Sequence, residues 1–261
     1  MTDPVRTERR GRVFEITLDR PKANAIDAAT SRALGDAFRA LAEDDSLSVG
    51  IVTGGGERFF SAGWDLKAAA AGEAPDEDQG PGGFAGLTEY WALKKPVIAA
   101  VNGMALGGGF ELALAADLIV AAEHATFALP EAGIGLIADS GGVIRLPRRL
   151  PRAIAMEMMM TARRAEAAEL ARWGLVNEVV PVARLMVAAR ALADRVAASA
   201  PLSLQAIKEI DAATEGAGTR EAFRVMHEAD LPVYRRVYDS ADAKEGIASV
   251  VEKRAPVWSG R

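Results

Sequence analysis

The chain has 261 residues, 50% of them hydrophobic and 26% charged, the balance of a globular protein long enough to bury a large core. Its net charge of −5 argues against a nucleic-acid surface, and the lack of cysteine excludes disulfides, thiolate metal sites and a cysteine nucleophile. The polar N-terminal stretch MTDPVRTERRGR lacks the apolar centre of a signal peptide, and no uncharged apolar run nears the ~20 residues that span a bilayer. Cytoplasm, with no membrane partner, is therefore the expected location.

Residues 12–18 alternate, with Phe14, Ile16 and Leu18 on one face, and read as a strand. Residues 20–25 break it and lead to a helix over 28–43 whose buried stripe is Leu34, Phe38 and Leu41. A second strand over 49–53 closes at Gly54-Gly55-Gly56. Residues 59–66, FFSAGWDL, read as a strand end and loop, an aromatic-anchored turn whose small centre also lets a ligand approach. Gly, Pro, Asp and Glu without periodicity mark 70–86 as the one long loop, the class that supplies lids and binding loops.

Residues 96–117, PVIAAVNGMALGGGFELALAAD, are the stretch around which the chain is organised. A buried strand stops at Asn102-Gly103 and passes through Gly107, Gly108 and Gly109 into an apolar helix. Such glycines join a strand to a helix, and they equally let bare backbone and the first free N–H groups of the helix meet a ligand. Short strands follow over 117–122 and 125–129, and Ser140 is the expected N-cap of the next helix. Beyond Pro151 helices dominate, interrupted at Gly174 and by a short strand over 175–180. Further helices are expected from Pro201, over 219–238 and over 241–254. Strand–helix alternation followed by helices predicts a layered α/β core over 1–200 and a helical C-terminal subdomain over 201–261.

His124 and His227 stand apart without a motif and read as surface or structural residues. No serine–histidine arrangement, P-loop lysine or metal-ligand spacing occurs. Carboxylates in Gly-rich surroundings remain: Glu111, Glu131 and Asp139, spaced by 20 and 8 residues. Two carboxyls whose environments separate their pKa values serve as a general acid and a general base.

The blocks GGGFELALAAD, FALPEAGIGL, FFSAGWDLKAA and AKEGIASVVEKRAPVW resemble the crotonase (enoyl-CoA hydratase/isomerase) superfamily in order and spacing. DRPKANAIDA, the 59–89 stretch and LIADSGGVIRLPRRLP are most similar to its carnitinyl-CoA dehydratase branch. The resemblance implies a spiral of ββα units, assembly into a trimer or dimer of trimers through the C-terminal helices, and an acyl-CoA substrate whose coenzyme A is part of the substrate, so that no separate cofactor or metal is needed. It further implies an oxyanion hole made by the backbone N–H groups of Trp64 and Gly108, which suits chemistry that builds an enolate beside a thioester. Glu111 and Glu131 match the family's paired glutamates: one activates water for attack on the β-carbon and the other handles the proton at Cα. Glu131 is expected in the second role, with both glutamates holding the water.

Asp139 departs from the simple hydratase pattern, where glycine is common. It keeps open a dienoyl-CoA isomerase-like reading beside hydration, or attraction of a trimethylammonium group, for which Trp64, Phe84, Tyr90 and Trp91 are candidate aromatic faces or ordinary core. The resemblance places Lys22, Ala23, Ala62, Asp65 and Leu66 along the coenzyme A site. Lys253 joins the phosphates or is simply solvated. The resemblance implies a CoA-dependent hydro-lyase that reversibly hydrates crotonobetainyl-CoA; the competing readings are a general enoyl-CoA hydratase or isomerase-like enzyme and a non-catalytic RNA-binding protein on the same fold, the last opposed by the acidic charge.

Overall fold

A computed structural model describes residues 3–74 and 77–261. Met1 and Thr2 of the polar N-terminal stretch and Pro75 and Asp76 of the 70–86 loop lie outside the described residues.

Ten strands form among the described residues, in chain order: β1 (Val5–Arg10), β2 (Val13–Leu18), β3 (Val49–Gly54), β4 (Phe59–Ser61) and β5 (Val97–Val101). They continue with β6 (Met104–Leu106), β7 (Leu118–Ala122), β8 (Thr126–Ala128), β9 (Ala165–Glu166) and β10 (Glu178–Val180). A six-stranded sheet has the order β1-β2-β3-β5-β7-β10, parallel except for the β1–β2 hairpin. A second sheet has the order β4-β6-β8-β9. The pairs β3–β4, β5–β6 and β7–β8 each give one strand to either sheet before a helix follows. This is the ββα spiral that the resemblance implied.

The parallel strands are buried on both faces, which is why they read as continuous apolar runs. Ile51, Ile98, Ala100 and Val120 pack beneath Leu185, Ala189 and Ala193 of the helix Leu185–Ala197. Their neighbours Val52, Ala99, Val101 and Ile119 face the other way, toward Leu34, Phe38 and Leu41 of the helix Ala28–Glu43. That helix starts and stops where its pattern predicts, and the Asp27 side chain caps it by accepting the Thr30 N–H at 2.8 Å.

Three expectations need correction. Ser140 is not the cap of the next helix, Gly142–Arg149: Gly141 stands there with φ 113°, and the Gly142 N–H donates to Glu111 Oε1 at 2.8 Å. A carboxylate from another segment replaces the local hydroxyl. The helix expected over 219–238 is two, Thr219–Glu228 and Pro232–Val237, because Pro232 cannot continue a helix but opens one. The strand expected over 175–180 is confined to β10, since Asn177 closes the preceding turn by accepting the Ile119 N–H through its side chain. Beyond the helix Pro201–Thr214, the helix Ala241–Glu252 ends the set, and the Trp258 indole donates to Ala198 O at 2.7 Å.

Candidate active site

The helix Gly108–Ala115 is set against the second sheet by Phe110, whose ring meets Phe127 of β8 edge to face at 5.2 Å. Its glycines are demanded by close approach. A Cβ on Gly109 would lie 2.3 Å from Ser61 O, and one on Gly108 would lie 2.4 Å from the Phe84 ring. On the facing segment, Gly63 has φ 82°, and a Cβ there would come within 2.7 Å of the Gly108 nitrogen. Two backbone segments distant in sequence thus touch where a larger residue would part them.

Segments 20–26 and 61–66 run side by side. The Ala62 N–H donates to Ala23 O at 3.0 Å, the Ile26 N–H to Gly63 O at 2.8 Å and the Asp65 N–H to Ile26 O at 2.9 Å. Asp65 caps the short helix Leu66–Ala70 and pairs with Arg20 at 2.6 Å, and Arg20 also holds Asp27 at 2.7 Å. The Trp64 indole donates to Glu73 at 3.0 Å, which aims its ring toward the start of the helix Ala28–Glu43. Among the described residues no acceptor takes the main-chain N–H of Trp64 or of Gly108. Both residues line the same cavity of about 520 Å³, where unpaired donors are the material of an oxyanion hole.

The carboxyls converge on that cavity. Glu111 is 3% exposed, and burial, with the charges of Glu131 and Asp139 behind it, pushes its pKa up to about 8. The Gly142 N–H and Arg145 oppose this without reversing it. Glu131 opens a 3-10 turn after Pro130, and burial followed by the Asp139 charge raises its pKa too. One of its oxygens, Oε2, is buried with no hydrogen-bond donor among the described residues, and the other lies against Gly107, where a Cβ would approach to 2.7 Å. A native carboxylate oxygen left without a donor is costly, and one that faces a cavity can accept a proton from what the cavity holds. Asp139 is exposed and lines the same space.

The cavity therefore unites Trp64, Gly108, Glu111, Glu131 and Asp139, together with Ala62 and Leu66 of the segment expected to hold coenzyme A. Lys22, Ala23 and Asp65 lie along the adjoining ridge rather than in the wall, and the Asp65 carboxylate is committed to Arg20 and the Lys67 N–H. Lys253 ends the helix Ala241–Glu252 in a left-handed conformation and does not line the cavity. His124 is engaged with Glu57 O and His227 stacks on Phe223, both outside it. Among the described residues no group of His, Asp and Glu is placed to hold a metal ion.

Sequence reasoning missed two neighbours. The Gly142 N–H binds Glu111 across 31 residues, a contact without local signal. Arg145 donates to Thr88 O at 2.6 Å and stands above the Trp91 ring at 5.8 Å, clasping the 139–142 loop to the 84–91 segment. Its only cue was its place one helical turn after the glycine pair.

A family model described as enoyl-CoA hydratase/isomerase matches residues 8–261. The sequence is 60% identical to the carnitinyl-CoA dehydratase of Salmonella typhi over the whole of both chains. Among solved structures, enoyl-CoA hydratase from Mycobacterium tuberculosis H37Rv is similar with a TM-score of 0.91 and 44% identity, covering 99% of each chain. Carnitinyl-CoA hydratase from Mycobacterium avium is similar with a TM-score of 0.78 and 44% identity over all of both chains.

Proposed function

From the premise that this chain belongs to the enoyl-CoA hydratase/isomerase family, we propose that it catalyses the reversible hydration of crotonobetainyl-CoA to carnitinyl-CoA. The full-length likeness to a carnitinyl-CoA dehydratase supports the substrate. One arrangement carries the chemistry: a Glu131 oxygen with no donor and the buried Glu111 carboxyl, its pKa pushed up to about 8, share a cavity with two main-chain N–H groups that have no acceptor among the described residues.

In the dehydration direction, the Glu131 carboxylate takes a proton from Cα of the thioester. The charge that develops on the thioester oxygen is met by the N–H groups of Trp64 and Gly108, donors fixed in place before reaction. As the enolate collapses to the α,β-double bond, neutral Glu111 gives its proton to the departing β-hydroxyl, which leaves as water. Hydration runs the same path backwards: Glu111, now ionised, takes a proton from the attacking water, and Glu131 returns one to Cα. The pair titrates as a unit, and the stronger push on Glu111 by burial sets which of the two holds the proton first. Coenzyme A follows the ridge of Lys22, Ala23, Ala62, Asp65 and Leu66, with the acyl group directed inward.

The test is a kinetic panel of crotonobetainyl-CoA beside crotonyl-CoA. Efficient turnover of the first is expected, and absence of its hydration overturns the reading. Replacing Glu131 by Gln is expected to lower kcat by about 10²–10⁴, the range for losing a positioned general base.

A further inference from the structure

A second chamber, again about 520 Å³, adjoins the first and shares Gln79, Phe84 and Asp139 with it as walls. Its lining includes the carboxylates of Glu77, Glu89 and Asp139 and the rings of Phe84 and Trp91, and no lysine or arginine. None of the three carboxylates belongs to an ion pair among the described residues. The Gln79 side-chain oxygen, a further acceptor shared by both chambers, is buried without a donor among the described residues. Two bases reach this region: Arg32 packs beside Gly80 and donates to Asp78 O, and Arg145, whose charge interacts with that of Glu89, donates to Thr88 O and stands over one face of Trp91.

Phe84 gives the path between the two chambers. Its ring backs directly onto Gly108, so an acyl group whose carbonyl meets the Gly108 N–H extends along Phe84 toward the acidic side. A cation four bonds from the carbonyl carbon lies about 5 Å away, roughly the breadth of that ring. A quaternary ammonium has no N–H to donate. Carboxylates that offer charge and aromatic faces that offer their quadrupole are what recognise it, and protein donors would be wasted on it.

We propose that this acidic chamber is the subsite for a quaternary ammonium at the far end of the acyl group, with Asp139 and Glu89 setting the preference for cationic over neutral acyl-CoA esters. The inference rests on the substrate reading above and places it in the chain. Asp139 is then a specificity residue, which accounts for a carboxylate at a position where the hydratase pattern has glycine.

The experiment separates binding from turnover. Affinities of the intact protein are measured for the unreactive, saturated γ-trimethylammoniobutyryl-CoA and for its neutral isostere, with a tert-butyl group in place of the trimethylammonium. The wild type is expected to favour the cation by about tenfold. Asp139→Asn and Glu89→Gln are each expected to cut that ratio several-fold, and the double variant to bring it to about one. Both side chains are exposed, and thermal melts confirm that the variants fold. A wild type without preference, or a double variant that keeps it, overturns the subsite. If the preference and its loss are seen but crotonobetainyl-CoA is not hydrated, the subsite stands and the substrate reading falls. If it is hydrated without any preference in binding, the substrate reading stands and the subsite falls.

Discussion

Burial, and after it the charges of Glu131 and Asp139, keep the proton on Glu111 up to about pH 8, against an ordinary value of 4.5. Between those values the folded chain binds a proton that the unfolded chain releases. The stability linked to this group is therefore complete below about pH 4.5 and declines as pH rises toward 8. Glu111→Gln removes the decline, because the amide oxygen still accepts the Gly142 N–H and no charge need form. At pH 8 the variant is expected to melt at least about 4 °C above the wild type, at the usual 2–4 °C per kcal/mol for a chain of this size, and to match it at pH 5. A lower or equal Tm at pH 8 would contradict the pressure on this side chain. In the proposed mechanism the same proton governs the rate: dehydration kcat/KM is expected to fall as pH passes about 8, and a profile flat to pH 9 would remove Glu111 from the acid role. Both glutamates were legible in the sequence, because each follows a glycine-rich or proline turn at the end of an apolar run. The contacts that tune them were not, since Gly142 and Arg145 reach Glu111 and Thr88 across 31 and 57 residues.

The segments 20–26 and 61–66 show what holds the proposed oxyanion donors in place at the scale of whole elements. Arg20 bridges Asp27, the cap of one helix, to Asp65, the cap of another, and the Trp64 main chain lies between those two anchors. Arg20→Ala leaves two half-buried carboxylates facing each other, and urea unfolding is expected to show a loss of about 2 kcal/mol or more. The reading fails if stability is unchanged. Gly63→Ala probes the same junction more narrowly. Its Cβ would meet the Gly108 nitrogen, so kcat is expected to drop about 10²–10³ with a much smaller change in KM. A rise in KM alone would assign the junction to binding. The elements themselves divide by length. The helix Ala28–Glu43 showed its full period, and its boundaries were read to the residue. β6 and β9 contain three and two residues, too few to display alternation, and became visible only through their pairing with β8. The ββα spiral was reached by resemblance of sequence blocks; periodicity alone left the two sheets undivided.

The molecule is closed on one side and open on the other. Both buried clusters draw on residues up to Ala197, and no side chain from the four C-terminal helices joins either. Those helices instead leave Phe223, Ile247, Val250 and Val251 57–78% exposed. The last three stand at i, i+3 and i+4 on the helix Ala241–Glu252 and form one apolar stripe, the pattern of a helix that buries a face against something. Apolar surface of this continuity is what an interface buries, and we propose a second copy of the chain as its occupant. The expected state is a trimer or a dimer of trimers. Light scattering at micromolar concentration tests it, and a monomer would overturn it. Ile247→Glu together with Val251→Glu is expected to dissociate the assembly, since two new charges from each chain would then crowd a desolvated interface. The consequence reaches the site through Lys253, which ends that same helix and touches no part of the cavity in its own chain. If it serves the coenzyme A phosphates across the interface, Lys253→Gln raises KM in the assembled protein several-fold and has no effect in the dissociated one. An equal effect in both would leave Lys253 acting within its own chain, and no effect in either would leave it a solvated helix end.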